Sequence, residues 1–572
     1  MSSTTEKPLL EFRNWRISFE TSSDQPLVAV ADLSFQLFPG QSLGLVGESG
    51  SGKSLTALSA IQLLPTAAQA SGEIIWKGEQ ELSGLDENSL RELRARHIGM
   101  IFQEPLSSLN PLMRCGEQTA EPLRIHKGLD KKDAEAAAKQ WFSKVGLRDP
   151  DRIYRSFPHQ LSGGQRQRVM IAMALCVEPE LLIADEPTTA LDVTVQKGIL
   201  ELIQELQKEL GIAVLFISHD LGVIREITDR VIVMWKGKVM EEGAVASVLE
   251  APQHPYSKGL VACRPSIAGS RRRLPTVPDF LEKTPEEIES FLNELDRTSA
   301  SDVSDREVGL DNAPIYLEAN NLHIRYPKEK NWFGRVTTYH QAVDDVSITL
   351  RRGACLGVVG ESGSGKTTLG KGLVRLVPLQ SGEVVYQGHA ISSMPERDFR
   401  SYRPKIQMVF QDPFSSLNPK MRIGELLSEP LRIHAPHLTK EERYERVIAV
   451  LERVNLDASV LERFPKAFSG GQRQRIGIAR ALLFEPEVLI CDESVSALDV
   501  SVQAQVLNLL KDLQEEYQFA MLFISHDLGV IRFIADEILV MQEGRVVEHG
   551  PAEQIFNAPQ QAYTQQLLAA VL

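Results

Sequence analysis

Short, continuous apolar runs recur along the chain, and each has the length of a buried strand. The clearest are SLGLVG at 42–47, LLIAD at 181–185 and AVLFIS at 213–218. Runs of this kind, with little alternation of polar residues, are typical of parallel strands that are covered on both faces. They predict a sheet in the interior of the fold.

Amphipathic stretches lie between these runs, with apolar residues at helical spacing. Residues 130–146 predict one helix, whose apolar face is formed by Ala134, Ala137, Trp141 and Val145. Residues 439–454 predict another, which begins with a capping box made by Thr439 and Glu442. Strands that alternate with helices indicate an α/β fold with a largely parallel sheet.

The chain contains the same pattern twice. LFISHDLGVIR occurs at 215–225 and again, unchanged, at 522–532. SGGQRQR likewise occurs at both 162–168 and 469–475. A repeat of this length is much longer than the period of a solenoid, so it indicates two homologous halves.

A segment without a counterpart separates the halves. We therefore predict a first domain at 1–262, a linker at 263–314 and a second domain at 315–572. The linker is mostly acidic, and we interpret the three arginines at 271–273 as solvated charges rather than a binding patch.

The linker sequence also predicts one short helix. Thr284 and Glu287 would form its capping box, with Pro285 at the first helical position. Its apolar face would consist of Ile288, Phe291, Leu292 and Leu295. We expect this helix to dock on a domain within an otherwise flexible tether.

Composition narrows the classes of function. The 572 residues include 43% hydrophobic and 24% charged residues, as in soluble globular proteins, and the net charge of −14 disfavours nucleic acid as a partner. The apolar stretch Val169–Val177 is far shorter than the ~20 residues of a membrane span. The N-terminus does not resemble a signal peptide, and the five cysteines are scattered. We expect a cytoplasmic protein that reaches a membrane only through partners.

Two segments, 47–54 and 360–367, match the phosphate-binding loop (P-loop) pattern G-x-x-x-x-G-K-[ST], and each follows an apolar run. Glycines allow the backbone N–H groups to surround a phosphate chain, and the lysine adds a cation. The candidate nucleotide-binding residues are Gly47, Ser49, Gly50, Gly52, Lys53 and Ser54, and Gly360, Ser362, Gly363, Gly365, Lys366 and Thr367. The hydroxyl groups of Ser54 and Thr367 are candidate Mg²⁺ ligands.

Paired acids end one apolar run in each half. Asp185 and Asp492 are candidate Mg²⁺ ligands, and the adjacent Glu186 and Glu493 are candidates for polarising the attacking water. The alternative is that these acids are ordinary turn residues or helix caps.

A histidine follows another apolar run in each half. Beside two P-loops, His219 and His526 are better candidates for a γ-phosphate contact than for hydrogen-bonded turn residues. The adjacent Ser218, His219 and Asp220 cannot form a hydrolytic triad, because neighbours in sequence cannot take up that arrangement.

The SGGQ sequences provide a second phosphate-seeking helix start in each half. Their residues are Ser162, Gly163, Gly164 and Gln165, and Ser469, Gly470, Gly471 and Gln472. Each serine is either a plain helix N-cap or a ligand for a phosphate that is held elsewhere.

The order of these motifs in both halves resembles that of ATP-binding cassette (ABC) proteins. The resemblance implies two tandem P-loop NTPase domains, each a RecA-like parallel-sheet core with an antiparallel β subdomain and a helical subdomain. It also implies that each SGGQ segment completes the ATP site of the opposite half, so that two bound ATP molecules hold the halves together like a clamp. Hydrolysis would then open this clamp, and both sites would be competent to hydrolyse ATP. The further residues that it assigns are the Q-loop residues Gln103 and Gln411 as catalytic residues and Mg²⁺ ligands, Phe19 and Tyr326 as adenine-stacking residues, and the D-loops 190–192 and 497–499.

More narrowly, the chain resembles fused ATPases of dipeptide/oligopeptide importers. The shared sequences are FQ-[ED]-P-x-SSLNP, ALDV-[ST]-VQ and APQHPYSKGL at 251–260, although Gln561 and Ala562 replace His-Pro in the second tail. This implies ATP and Mg²⁺ as cofactors, two transmembrane permease subunits that dock near Leu106–Leu123 and Phe414–Leu431, and a solute-binding protein. The protein would then lie at the cytoplasmic face of the membrane.

Other ATPase classes are alternatives. Twin-cassette ribosome or translation factors carry a long, often basic linker, whereas this linker is short and acidic. DNA-repair ATPases need coiled-coil or zinc insertions, and neither heptads nor cysteine pairs occur here. A regulator without turnover is disfavoured by Glu186 and Glu493.

Overall fold

A computed structural model describes residues 7–20, 26–103, 108–189, 191–267, 271–284, 286–295, 312–330, 336–412, 416–496 and 498–570. The chain divides into two compact units, Met1–Ala262 and Cys263–Val571. Several features predicted above lie wholly or partly outside the described residues. They are Pro285, the first residue of each D-loop (Ala190 and Ala497), the first two residues of each permease-docking segment, and residues 268–270 and 296–311 of the linker.

The first unit contains a four-stranded antiparallel sheet and a six-stranded mixed sheet. The strands are β1 Leu10–Phe19, β2 Leu27–Leu37, β3 Ser42–Val46, β4 Ala68–Trp76, β5 Gln80–Glu81, β6 Ile98–Ile101, β7 Leu181–Asp185, β8 Ala213–Ser218, β9 Arg230–Trp235 and β10 Lys238–Ala244. The small sheet has the order β2-β1-β4-β5, and the large sheet has the order β10-β9-β3-β8-β7-β6. All three apolar runs predicted as strands are confirmed as β3, β7 and β8.

Strand order in the large sheet brings the predicted chemistry to one edge. Strands β3, β6, β7, β8 and β9 are parallel, so their carboxyl ends meet at the same edge. β8 lies between β3 and β7, which places the P-loop, the histidine and the paired acids at three neighbouring strand ends. Open α/β sheets bind ligands at this kind of edge.

Helices cover the sheet and form a helical region between β6 and β7. The helices of the first unit are Lys53–Ala60, Glu87–Arg96, Cys115–His126, Lys131–Lys144, Pro150–Arg155, Gly163–Leu175, Val193–Leu210, Leu221–Ile227, Val245–Glu250 and Pro255–Ala262. The predicted helix in 130–146 is confirmed, with Ala134, Trp141 and Val145 buried. Ala137 is only half-buried, and Ala138 lies deeper instead.

The second unit repeats this plan. Its strands are β11 Ile315–Lys330, β12 Val336–Arg351, β13 Cys355–Val359, β14 Ser381–Tyr386, β15 His389–Ala390, β16 Ile406–Val409, β17 Val488–Asp492, β18 Ala520–Ile524, β19 Glu537–Gln542 and β20 Arg545–Pro551. The sheet orders are β12-β11-β14-β15 and β16-β17-β18-β13-β19-β20, the same as in the first unit. The helices of the repeat are Lys366–Leu373, Glu396–Phe399, Ile423–His434, Lys440–Arg453, Gly470–Leu482, Val500–Tyr517, Leu528–Ile534, Ala552–Asn557 and Ala562–Ala569. The capping box of Thr439 and Glu442 is confirmed.

Residues 271–295 of the predicted linker belong to the second unit. The backbone N–H of Leu274 donates to Asn508 Oδ1 at 2.9 Å, and Asn508 Nδ2 donates to the Leu274 carbonyl at 2.8 Å. Arg272 and Arg273 form exposed ion pairs with Glu515 and Asp512. This part of the segment therefore packs along the helix Val500–Tyr517.

Two helices occur in this segment. The helix over 286–295 is the predicted one, and the capping hydrogen bonds between Thr284 and Glu287 are confirmed. Its predicted apolar positions are the less exposed ones, and Leu295 is buried. The helix Val277–Glu282 was not predicted, although Thr276 and Asp279 form its capping box. The domain boundaries 1–262, 263–314 and 315–572 stay predictions.

Two candidate nucleotide sites

Each P-loop follows the central strand of its large sheet and leads into a helix. In the first unit, Gly47 has φ 154°, and a Cβ atom there would lie 2.1 Å from the Met234 carbonyl oxygen. Gly52 has φ 100°, and its Cβ would lie 2.7 Å from the Ala29 carbonyl oxygen. Gly360 and Gly365 repeat both features in the second unit. Only glycine satisfies these positions, because both the dihedral angle and the space exclude a side chain.

The two P-loop lysines point back into their own loops. Lys53 Nζ donates to the carbonyl oxygens of Gly47 at 2.7 Å and Glu48 at 2.9 Å. Lys366 Nζ donates to those of Gly360 at 2.7 Å and Glu361 at 2.8 Å. Both side chains are buried. Since each lysine is the first residue of a helix, each places a buried cation at a helix start. A glycine-lined loop with this buried cation suits the phosphate chain of a nucleotide.

A hydroxyl group and a carboxylate meet beside each lysine. Ser54 Oγ donates to Asp185 Oδ1 at 3.1 Å, and Thr367 Oγ1 donates to Asp492 Oδ1 at 2.8 Å. Burial raises the pKa of Asp185 to about 6 and also raises that of Asp492. Oxygen donors beside a desolvated carboxylate fit Mg²⁺, which prefers such ligands. Among the described residues, no group of three or more His, Cys, Asp or Glu side chains could hold a metal, so other ligands would have to complete this one.

Glu186 follows β7 and accepts three hydrogen bonds at one oxygen. Its Oε2 lies 3.0 Å from Gln103 Nε2, 2.8 Å from Thr189 Oγ1 and 3.2 Å from His219 Nδ1. Burial would raise the pKa of Glu186, but His219 and Thr189 outweigh it and lower the pKa to about 2. This carboxylate is therefore ionised, and its orientation is fixed from three directions.

Glu493 occupies the same position in the second unit, with a different neighbourhood. Gln411 Nε2 donates to its Oε2 at 2.6 Å, and His526 Nδ1 lies 3.6 Å from that oxygen. Ser496, at the position of Thr189, donates instead to the Glu493 backbone carbonyl at 3.0 Å. Burial opposes charge on both side chains, yet the pKa of Glu493 is lowered and that of His526 raised, because the two ions stabilise each other.

The glutamines of the predicted sites therefore contact the glutamates. The hydrogen bonds of Gln103 and Gln411 go to Glu186 and Glu493, not to Asp185 or Asp492. Their assignment as Mg²⁺ ligands stays a prediction.

Each SGGQ segment forms a capping box within its own unit. Gln165 N–H donates to Ser162 Oγ at 3.3 Å, and Ser162 N–H donates to Gln165 Oε1 at 3.1 Å. Ser469 and Gln472 repeat both bonds. These capping boxes are the N-caps that the sequence allowed. The side chains of Ser162, Gln165, Ser469 and Gln472 are all at least partly exposed. A role toward a phosphate elsewhere stays a prediction.

Tight packing fixes the second glycine of each SGGQ segment. A Cβ atom at Gly164 would lie 2.6 Å from Val195 Cγ1, and one at Gly471 would lie 2.2 Å from Val502 Cγ1. The described D-loop residues lie nearby in sequence, and Asp192 caps the helix Val193–Leu210 by accepting the Val195 N–H at 2.9 Å. Asp499 lies at the N-cap position of the helix Val500–Tyr517, where its side chain does not make this capping hydrogen bond.

The two predicted adenine-stacking residues lie at equivalent places in the small sheets. Phe19 ends β1 and packs partly against the first hydrophobic core. Tyr326 lies in β11, pairs with His340, and is 38% exposed. Their stacking role stays a prediction.

Sequence reasoning missed several residues that touch these sites. Thr189 binds the carboxylate of Glu186, and two tail tyrosines, Tyr256 and Tyr563, accept hydrogen bonds from the P-loop residues Glu48 and Glu361. The available signal was repetition, because the tyrosine recurs in the second tail even where the preceding His-Pro does not.

None of the helices in the described ranges combines the length and the apolar character that a membrane span requires.

The same two family models match both halves of the chain. The ABC transporter family model matches residues 30–189 and 343–496, and the model for the oligopeptide/dipeptide transporter C-terminal region matches 240–289 and 547–572. Among solved structures, the dimeric structure of MJ0796, a bacterial ABC transporter cassette, is 26% identical, covers 41% of this chain and 98% of its own, and has a TM-score of 0.38.

Two curated relatives match along nearly the whole chain. The peptidoglycan transport ATP-binding protein YejF of Agrobacterium fabrum is 45% identical over 100% of this chain and 97% of its own length. The glutathione import ATP-binding protein GsiA of Escherichia coli O6:H1 is 44% identical over 98% of this chain and 89% of its own. With two matched cassettes and relatives of this coverage, the chain belongs to the ABC transporter family as a tandem ATP-binding ATPase subunit.

Proposed function

We propose that this chain hydrolyses ATP at two Mg²⁺-dependent sites and powers the import of peptides or similar small solutes. The observation that carries the proposal is the duplicated arrangement of P-loop lysine, hydroxyl–aspartate pair and histidine-bound glutamate. Each part is present in both units, so both sites have the groups that hydrolysis requires.

In each site the side chains divide the work. Lys53 and Lys366 bind the phosphate chain, while the pairs Ser54–Asp185 and Thr367–Asp492 hold Mg²⁺. Bound Mg²⁺ would supply neutralisation of phosphate charge. Glu186 and Glu493 are ionised, so they accept a hydrogen bond from water and orient it for attack on the γ-phosphate.

The SGGQ segment of each half completes the site of the other half. Its exposed helix start offers N–H groups to an anion, and a unit already has one such helix start in its own P-loop. Binding of two ATP molecules then holds the halves together, and loss of the γ-phosphates releases them.

The partners are transmembrane permeases, because one relative is named for glutathione import and the other for peptidoglycan transport. In the second unit, a cavity of about 330 Å³ is lined by Met408, Phe410, Leu417, Ile433 and Phe484 among others. Phe410 and Ile433 are 39% and 45% exposed, and Phe102 and Ile125 are exposed at the equivalent places in the first unit. The apolar part of this cavity suits an amphipathic helix of one permease, and the exposed Phe102 and Ile125 mark the equivalent place for a second permease in the first unit.

The transported solute has peptide character in this proposal. One relative is named for peptidoglycan transport and the other for glutathione import, and both solutes contain peptide bonds or related amides. A solute-binding protein would deliver the cargo, and the ATPase would lie at the cytoplasmic face of the membrane through its permeases. The comparisons give no support to the ribosomal alternative.

The double variant Lys53→Ala plus Lys366→Ala tests the ATP sites. We expect loss of ATP hydrolysis, measured as phosphate release, because the phosphate chain loses its cation in both sites. Lys77→Ala plus Lys405→Ala is the matched control, since each of these lysines forms an ion pair within its own unit, with Glu180 or Glu487, and neither lies in a P-loop. Normal turnover in the P-loop double variant would refute the site assignment.

Isolation from native membranes tests the partners. We expect two permease subunits, or one chain in which both permeases are fused, to co-purify with this protein. We also expect a solute-binding protein to join the complex. Sedimentation with ribosomes and not with membranes would overturn this part of the proposal.

A further inference from the structure

The C-terminal tail of each repeat contacts the P-loop of the same unit. In the first unit, the Glu48 N–H donates to the hydroxyl of Tyr256 at 3.2 Å, across a separation of more than 200 residues in sequence. In the second unit, the Glu361 N–H donates to the hydroxyl of Tyr563 at 3.1 Å. The two tails differ in sequence around the tyrosine, so the shared contact is not a by-product of identical local sequence.

A carboxylate anchors the residues just before each tail helix, and it is half-buried at Glu241 and buried at Glu548. Glu241, on β10, accepts the backbone N–H groups of Gln253 at 2.9 Å and His254 at 3.1 Å. Glu548, on β20, accepts those of Gln560 at 2.7 Å and Gln561 at 3.2 Å. These bonds fix the first turn of the helices that carry Tyr256 and Tyr563, and thus fix the position of each phenol.

The same P-loop residue is held from two sides. The Glu48 N–H donates to Tyr256, and the Glu48 carbonyl accepts from Lys53 Nζ at 2.9 Å. Glu361 is held in the same way, with its carbonyl 2.8 Å from Lys366 Nζ. The Glu48 N–H shares its peptide unit with the Gly47 carbonyl, which accepts from Lys53 Nζ at 2.7 Å, and Glu361 and Gly360 repeat this with Lys366. Movement of the phenol would therefore move a peptide unit that contacts the phosphate-binding lysine.

We propose that Tyr256 and Tyr563 are positioning residues for ATP binding, through which the oligopeptide/dipeptide-type C-terminal regions set the shape of the two P-loops. The proposal rests on the P-loops being the ATP sites, as proposed above. It assigns a function to a region that the family models separate from the cassette itself.

The first tail is seated more firmly than the second. Tyr256 is fully buried and stacks on Trp235, with ring centroids 5.2 Å apart, and its N–H donates to His254 Nδ1 at 3.1 Å. Tyr563 is only half-buried, and Gln542 ends β19 where Trp235 ends β9. The two units should therefore respond differently when the phenol is altered.

The test uses Tyr256→Phe and Tyr563→Phe in the full chain, since Phe keeps the ring and removes only the hydroxyl. We expect MgATP to bind roughly three- to tenfold more weakly at the altered site, the range expected for loss of one hydrogen bond. At saturating MgATP, we expect kcat to stay within about twofold of the unmodified protein, because the groups around the γ-phosphate are unchanged.

Tyr386→Phe is the matched control. Tyr386 is buried in the second unit, and its hydroxyl donates to Glu487 at 2.7 Å, remote in sequence from the P-loop residues. We expect this variant to lower Tm without changing MgATP affinity. If the tail variants lower only Tm, or if Tyr386→Phe weakens MgATP binding equally, the positioning role is wrong.

Hydrogen exchange gives a second measurement that does not depend on turnover. We expect the peptide covering 46–54 to exchange faster in Tyr256→Phe, because the Glu48 N–H loses its acceptor. Glu241→Gln, which leaves the phenol intact but weakens the anchor of the tail helix, should have a smaller effect in the same direction. Unchanged exchange in both variants would overturn the proposal.

The two proposals fail in distinguishable ways. Normal hydrolysis after replacement of both P-loop lysines would refute the ATP sites themselves. Loss of hydrolysis in that variant, together with unchanged MgATP binding and exchange in the tyrosine variants, would refute only the tail's role.

Discussion

The glutamates of the two candidate sites, Glu186 and Glu493, have the same backbone position and different side-chain partners. A threonine hydroxyl binds the carboxylate of Glu186, whereas the equivalent Ser496 hydroxyl binds the backbone carbonyl of Glu493. The histidine is also closer in the first site, at 3.2 Å against 3.6 Å. The two sites therefore share their motifs but hold the glutamate that would orient water with different side-chain contacts. The residues that differ, Thr189 and Ser496, lie outside the motifs.

The largest expected effect tests whether the two glutamates matter equally. Glu186→Gln and Glu493→Gln should each lower phosphate release at the altered site by about 100-fold or more, as expected when a positioned base is removed. ATP should remain bound in both, because the P-loops are intact. If one single variant keeps near-normal turnover, the two sites are not equivalent and the proposal of two competent sites is wrong.

The second prediction concerns Asp185 and its raised pKa. A carboxyl group whose folded pKa, about 6, exceeds its unfolded value destabilises the fold as pH rises between those two values. Asp185→Asn removes this ionisation and should raise the free energy of unfolding at pH 7 by roughly 3 kcal/mol, at 1.36 kcal/mol per pKa unit.

The measurement for Asp185→Asn is thermal unfolding in chelator, without nucleotide, from pH 4 to pH 8. We expect most of the gain in Tm to be lost as pH falls to 4, because Asp185 is then protonated in the folded state and only about half ionised in the unfolded state. Asp492→Asn should act in the same direction in the second unit. A gain that is independent of pH would contradict the electrostatic explanation.

The third prediction removes the hydroxyl group beside each glutamate, that of Thr189 or that of Ser496. Thr189→Val keeps the shape of the side chain and removes the bond to the Glu186 carboxylate, so we expect kcat to fall by about fivefold for a bond worth ~1 kcal/mol. Ser496→Ala should have a smaller effect, because Ser496 does not bind the carboxylate. Equal effects would show that the difference between the two sites has no consequence for turnover.

The smallest expected effect concerns the aromatic partner of the first tail. Trp235→Gln gives the first unit the residue of the second, and loss of the stacked pair should lower the free energy of unfolding by about 1 kcal/mol. We expect MgATP affinity at the first site to fall by less than about threefold, since the Tyr256 hydroxyl remains. Gln542→Trp in the second unit is the reciprocal variant, and a stabilised second tail would sharpen the comparison.

Much of the fold could be predicted because its determinants are local in sequence. The strands β3, β7 and β8 are continuous apolar runs, and the P-loop, with its glycines at φ values near 100° and 150°, is encoded within eight residues. Parallel strands then bring the ends of β3, β7 and β8 together, so the proximity of Lys53, Asp185 and His219 follows from the fold class.

The rest depends on contacts between distant residues. The hydrogen bond between Tyr256 and Glu48 forms only when the tail packs against the sheet. The rotamer of Thr189 decides whether its hydroxyl donates to the Glu186 carboxylate or to a backbone carbonyl. The helix Val277–Glu282 is different, because Thr276, Pro278 and Asp279 give a local start signal that the reading of the sequence overlooked. Its six residues are too few for a clear apolar period.

The backbone of both glutamates lies in the left-handed region, with φ 48° at Glu186 and φ 44° at Glu493. Glycine would occupy this conformation at lower backbone cost. Replacing either glutamate by glycine should therefore relieve backbone strain at that turn and remove the carboxylate that would orient water at that site, so the strain serves the chemistry and not the folding of the turn.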